Sequence, residues 1–217
     1  MSTIKVGLRY IDIWKTSLEK EVQAYEAEPI KKGQIVFYGP SDFTRWSEKY
    51  GNINLADTIR GASGEACCIN RGFGSSCPEH MLYYYPRMVR PLEPKALVLS
   101  SAACGNGSAF GYTAEEMLYQ YERVIAYASV DFPEMKIYVY GENKDRHAAS
   151  ERRLACINGL EKIASETPNC TFIDGTTCPD LARDDIFIED RVHYNAEGYS
   201  IFADFFKSAL KDVLAEL

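Results

Sequence analysis

Ile35-Val36-Phe37-Tyr38-Gly39-Pro40-Ser41-Asp42-Phe43-Thr44-Arg45-Trp46 is the stretch that decides the fold. Its first four residues are apolar without polar alternation, the pattern of a strand covered on both faces. Gly39-Pro40 breaks the run, and Ser41 opens a segment of helical period. A covered strand that turns directly into a helix is the repeating unit of α/β sheets.

The same kind of run recurs at Ala66-Cys67-Cys68-Ile69, Ala96-Leu97-Val98-Leu99, Ile137-Tyr138-Val139-Tyr140 and Thr171-Phe172-Ile173. Between the runs, helical period predicts helices at about Leu18 to Ala27, Ser41 to Tyr50, Pro78 to Val89, Ala114 to Ser129, Arg146 to Glu166 and Ala196 to Leu214. Three starts carry capping chemistry. Thr113 precedes Glu116 by three residues as a capping box, Pro78 suits a first turn, and Asn195 stands ahead of the last helix. Five parallel strands with right-handed crossovers predict a three-layer αβα sandwich, whose ligand sites lie outside the carboxyl ends of the strands.

With 217 residues and no internal repeat or linker, the chain is expected to form one domain over 1–217, with residues 1–33 as a helical lead-in packed on it. The net charge of -7 and pI near 5.1 speak against nucleic acid as a partner, because phosphate backbones need clustered Lys and Arg. Apolar runs of four to six residues fall short of the roughly 20 that cross a bilayer, and no secretory core follows Met1, so no membrane association and a cytoplasmic location are expected. Seven cysteines, an odd number with several in apolar runs, read as reduced thiols.

Candidate chemistry gathers on the segments that follow the strands. Ser41 sits at the strand-to-helix turn, where its hydroxyl can face a cleft, although a helix cap alone would account for it equally. Phe187-Ile188-Glu189-Asp190-Arg191-Val192-His193 places a carboxylate three residues before a histidine. Asp190 can accept the Nδ1 proton of His193 and leave Nε2 to take a proton from a serine. Asn70-Arg71-Gly72-Phe73-Gly74-Ser75-Ser76 and Cys104-Gly105-Asn106-Gly107 reach the same sheet edge with small residues and a neutral donor, an oxyanion hole in outline.

The other motifs carry less. His80 beside Glu79, and His147 in a charged run, read as solvated side chains. Adjacent Cys67 and Cys68 would face opposite sides of a strand, and without a Cys-x-x-Cys pair no metal site is expected. The glycine patterns that cradle nucleotides are missing, as is Gly-x-Ser-x-Gly, so neither a cofactor nor an α/β-hydrolase elbow is expected.

Taken in order, these segments resemble the SGNH or GDSL-type esterases and acylhydrolases, from about Trp14 to the last helix. Ile35 to Ser41 is similar to the family's first block, Asn70 to Ser75 to its second, Asn106 to the asparagine of its third, and Asp190 to His193 to the Asp-x-x-His of its fifth. The resemblance implies a flavodoxin-like five-stranded parallel sheet of order 2-1-3-4-5. It also implies a metal-free acyl transfer with Ser41, Asp190 and His193 as triad, and Ser41, Gly74 or Ser75, and Asn106 as oxyanion donors.

Three positions depart from the family pattern. Pro40 stands where Asp or Ser is usual, Ser75 where glycine is usual, and Gly107 where aspartate follows the asparagine. The implied substrate is a small-molecule ester, with an acetylated carbohydrate and a thioester within the same chemistry. The alternative is a catalytically weakened protein of the same fold that binds an acylated or sugar ligand without turnover. Homo-oligomerisation stays open.

Overall fold

The computed structural model describes residues 11–143 and 151–217, with side chains from Ser17 onward. Five parallel strands, β1 (Ile35–Gly39), β2 (Cys68–Gly72), β3 (Ala96–Ser100), β4 (Lys136–Gly141) and β5 (Cys170–Asp174), form one sheet of order β2-β1-β3-β4-β5. That is the expected order. The helices among the described residues are α1 (Ile11–Glu26), α2 (Ser41–Thr44), α3 (Leu55–Thr58), α4 (Pro78–Met88), α5 (Ala103–Ala109), α6 (Ala114–Asp131), α7 (Glu151–Glu166), α8 (Ala196–Ala209) and α9 (Lys211–Leu214).

The layers follow from strand periodicity, since successive side chains point to opposite faces. Val36, Tyr38, Leu97, Leu99, Ile137 and Val139 pack on one face with residues of α1, α4, α5, α6 and α7. Ile35, Phe37, Ala96, Val98, Tyr138 and Tyr140 pack on the other with α2, α3, α8 and α9. Every residue of β1 and β3 is buried, which is why those runs carry no polar alternation.

Several expectations need adjustment. The second strand begins two residues later than expected, so Asn70, Arg71 and Gly72 belong to β2 and pair beside Phe37, Tyr38 and Gly39. The segment after Ser41 holds one turn of α-helix and a later 3₁₀ turn (Glu48–Tyr50) instead of one helix. Gly72 explains the tight junction: a Cβ there would lie 2.2 Å from the Thr44 amide nitrogen. Cys104-Gly105-Asn106-Gly107 lies in α5, whose glycines masked its helical period. All three capping features occur where expected. The Arg146 start expected for the helix now seen as α7, and His147, lie outside the described residues.

The thiol reading is corrected. Cys104 and Cys156 form a disulfide that ties α5 to α7 across 52 residues, while Cys67, Cys68, Cys77, Cys170 and Cys178 are free. Nor do Cys67 and Cys68 separate across the sheet: their sulfurs lie 3.9 Å apart and both residues join the same core. No helix among the described residues is long and apolar enough to cross a membrane.

Candidate active site

Ser41 is the first residue of α2, immediately beyond the carboxyl end of β1. Pro40 before it costs no hydrogen bond in α2, since an N–H at that position precedes the helix. Its carbonyl accepts from the amides of Phe43 (3.2 Å) and Thr44 (3.1 Å), so the proline closes the turn that presents the serine.

Asp190 and His193 lie in a tight turn before α8. The Ile188 amide donates to the His193 carbonyl at 2.9 Å, and Arg191 takes a left-handed φ of 55° to close it. One oxygen of Asp190 accepts from the backbone amides of Val192 (2.8 Å) and His193 (2.9 Å). Its other oxygen meets His193 Nδ1 at 2.7 Å. Burial works to raise the Asp190 carboxyl, but the bonds from the His193 ring and the two amides outweigh it and hold the pKa at about 2. His193 Nε2 lies 2.8 Å from Ser41 Oγ. The structure thus brings the three residues into one hydrogen-bonded line.

That line depends on how α8 docks against α2. Trp46 packs against Tyr199 (5.6 Å between ring centroids) and Phe202 (5.2 Å), and the Tyr199 hydroxyl donates to the Asp42 carbonyl at 3.0 Å. Asn195 caps α8 by accepting from the Gly198 amide and donates to the Asp185 carbonyl at 2.8 Å, fixing the loop that carries His193.

The expected anion donors separate into two groups. The amides of Ser41 and Ser75 have no acceptor among the described residues. Asn106 Nδ2 donates to the Ser76 carbonyl at 2.8 Å and keeps a second hydrogen for another acceptor. Gly74 is corrected: its amide donates to Glu21 Oε2 at 2.9 Å and is not open to an incoming oxyanion. Ser75 adopts φ 63°, the left-handed region in which glycine is favoured. Gly107 is a packing requirement, because a Cβ there would lie 2.5 Å from Met117 Sδ and 3.3 Å from Pro78 Cδ.

Several site residues escaped sequence reading. Asp42, next to Ser41, turns its carboxylate inward to accept a short hydrogen bond from the Ser100 hydroxyl, and its buried Oδ1 has no partner among the described residues. Burial raises its pKa; the Ser100 bond opposes this and the Glu142 charge adds to it, leaving the group at about 7. Glu142 in turn pairs with Arg153. A carboxylate after a serine signals only a helix start, so this network had no sequence signature. His80 is likewise corrected: it is fully buried, and its Nδ1 accepts from the Cys77 amide at 3.1 Å. Cys77, Glu79 and His80 bring potential metal-ligating atoms within 4.8 Å of one another, but Cys77 and His80 form a capping box at the start of α4.

No family profile matches the sequence, and no curated protein matches it. Solved structures do. A GDSL-like lipase of Bacteroides thetaiotaomicron superposes with a TM-score of 0.65 at 15% identity, covering 90% of this chain and 98% of its own. The esterase EstA of Pseudoalteromonas sp. gives 0.68 at 12% identity, covering 84% and 99%. The acetyl xylan esterase AlAXEase gives 0.66 at 19% identity, covering 82% and 99%. Identities of this size speak to architecture, and the sheet order agrees with it: the chain has the fold of the SGNH, or GDSL-type, hydrolases.

Proposed function

We propose that the protein hydrolyses carboxylic esters of short acyl groups, carbohydrate acetates included, through an acyl-enzyme on Ser41. The observation that carries this reading is the line Asp190 Oδ2, His193 Nδ1, His193 Nε2, Ser41 Oγ, with separations of 2.7 and 2.8 Å at its two hydrogen bonds. A surface ion pair would account for the first contact and a helix cap for the second residue. Neither accounts for both on one imidazole.

His193 takes the Ser41 proton as Oγ attacks the ester carbonyl, and Asp190 holds the ring and stabilises its cation. The oxyanion is received by the amides of Ser41 and Ser75 and the free hydrogen of Asn106, each donor contributing about 3 kcal/mol in such chemistry. His193 then protonates the leaving alcohol, activates water against the acyl-enzyme, and returns the proton to Ser41 as the acid departs.

Ser41→Ala, assayed on p-nitrophenyl acetate and an acetylated sugar, is expected to lose turnover with its circular dichroism unchanged; undiminished turnover overturns the assignment. A fluorophosphonate probe should label the wild type at Ser41 and not the variant. An unlabelled wild type that still binds acetylated sugars would instead favour a binding protein of this fold.

A further inference from the structure

Helix α1 precedes the sheet and contributes none of the groups assigned above, yet two of its side chains grip the backbone that carries Ser75. Glu21 and Tyr25 are four residues apart, hence on one face of the helix. The Tyr25 hydroxyl donates to the Gly72 carbonyl at 2.6 Å, and Glu21 Oε2 accepts from the Gly74 amide at 2.9 Å. Gly72 ends β2, an outer strand of the sheet. The two contacts therefore bracket Phe73 and immediately precede Ser75.

The chemistry of Glu21 differs from that of its neighbours. Glu19 and Glu26 each pair with Arg87, and Glu28 pairs with Arg71, which also lies over the Tyr25 ring. Leu18 and Val22, buried in the core, attach the helix, and these ion pairs flank the attachment. Glu21 joins none of them: its hydrogen bond among the described residues is to the Gly74 amide, with Lys49 the nearby charge. Burial pushes its carboxyl up, which the Gly74 amide only partly offsets. A half-buried acid without an ion pair is a poor stabiliser, so its place calls for another reason.

Ser75 supplies that reason. Its φ of 63° costs a non-glycine residue on the order of 1 kcal/mol or more, and such strain persists only where the surroundings over-determine the backbone. Asn70 Oδ1 accepts from the Gly72 amide and the Phe73 amide donates to the Gly39 carbonyl, while Tyr25 and Glu21 hold the Gly72 carbonyl and the Gly74 amide that lead into Ser75.

We propose that Glu21 and Tyr25 are positioning residues: α1 holds the Gly72–Ser75 backbone so that the Ser75 amide is preset as a donor to the ester oxyanion. The inference rests on the hydrolytic reading above and extends the working site to the helix that precedes the sheet. Because the hole receives charge only in the transition state, its positioning residues act on kcat more than on KM.

The test measures kcat and KM on p-nitrophenyl acetate for Glu21→Ala, Glu21→Gln, Tyr25→Phe and the Glu21→Ala/Tyr25→Phe double variant, with Ser41→Ala alongside. Glu21→Ala should lower kcat by about tenfold or more, with KM within about twofold. Glu21→Gln keeps an acceptor for the Gly74 amide and should stay within about threefold of wild type. Tyr25→Phe removes one hydroxyl and should lower kcat by severalfold, and the double variant should lose less than the product of the single losses. An unchanged kcat in both Glu21→Ala and Tyr25→Phe, or a Glu21→Gln as impaired as Glu21→Ala, overturns the proposal. Should Glu21→Ala not fold, the Glu21→Gln and Tyr25→Phe results decide by themselves. If Ser41→Ala is inactive while the helix variants are normal, only this inference fails; if Ser41→Ala is active, the hydrolytic reading fails beneath it.

Discussion

Ser41 and His193 stand 152 residues apart in the chain, and their side chains meet at 2.8 Å where the turn after β1 faces the turn before α8. The meeting is prepared by packing. Trp46 and Phe43 of the serine segment share a core with Tyr199, Phe202 and Phe206 of α8, and aromatic pairs of this kind add about 0.5–1.5 kcal/mol each beyond their buried area. The imidazole is thus located by apolar contacts one to three helical turns away, and oriented by Asp190.

Asp190→Asn tests the orienting role. The amide retains shape but can impose the wrong tautomer on His193, which in triads of this kind lowers kcat by about 10³–10⁴-fold. The same loss in kcat/KM with KM little changed is expected. An Asp190→Asn enzyme with more than about a tenth of wild-type kcat would show that His193 is oriented by something else.

Ser75→Gly tests the left-handed backbone. Glycine removes the Cβ that makes φ 63° costly while leaving the amide in place. The relief of about 1–2 kcal/mol is opposed by about 0.5–1 kcal/mol of extra unfolded-state entropy, so a net gain of roughly 0.5–1 kcal/mol is expected in urea denaturation. Esterase kcat should be unchanged or higher, and a destabilised Ser75→Gly would mean that the serine side chain holds the loop.

The strands and the Asp190–His193 contact were legible because both rest on local signals, whereas the sheet order was implied by the family resemblance and not by any one segment. Ile35 to Tyr38 and Ala96 to Leu99 are apolar throughout because they are covered on both faces. Asp190 and His193 sit within one turn of each other, so their contact needed no tertiary knowledge. What was hidden depends on long-range packing. Nothing in the sequence around Glu21 distinguishes it from Glu19 or Glu26, and it meets Gly74 only once α1 is laid along the sheet. The Cys104–Cys156 bond joins residues whose strands and helices are not adjacent in sequence, and spacing alone could not pair them. His80 looked solvated because a helix start is usually exposed; here α4 is covered by the core and the ring serves as its own cap.

Asn106→Ala tests the third of the proposed oxyanion donors. One hydrogen of its amide is engaged with the Ser76 carbonyl, and the other is the proposed contribution to the hole. Removing the side chain should lower kcat by about a hundredfold with little change in KM. An effect confined to thermal stability would assign Asn106 only to holding the Ser76 backbone.

Asp42 makes stability depend on pH in a direction opposite to that of an ion-paired carboxylate. Its pKa rises from the ordinary 3.8 to about 7 in the folded protein, because burial penalises the anion more than the Ser100 hydroxyl compensates it. Between those values the native state holds a proton that the unfolded chain releases, so stability falls as pH rises from about 4 to about 7 and levels off above. Asp190 has the opposite sign, contributing stability above 3.8 that is lost as pH falls through about 2, so the two windows do not overlap. Asn at position 42 can still accept from Ser100 but cannot titrate. The urea midpoint of the wild type should therefore decline from pH 5 to pH 8, and that of Asp42→Asn should stay much flatter. Glu142, Arg153, Tyr121, Tyr140 and Tyr199 surround the group and are unchanged in the variant. Equal slopes for the two proteins would show that the Asp42 pKa is not raised into this range in the folded protein.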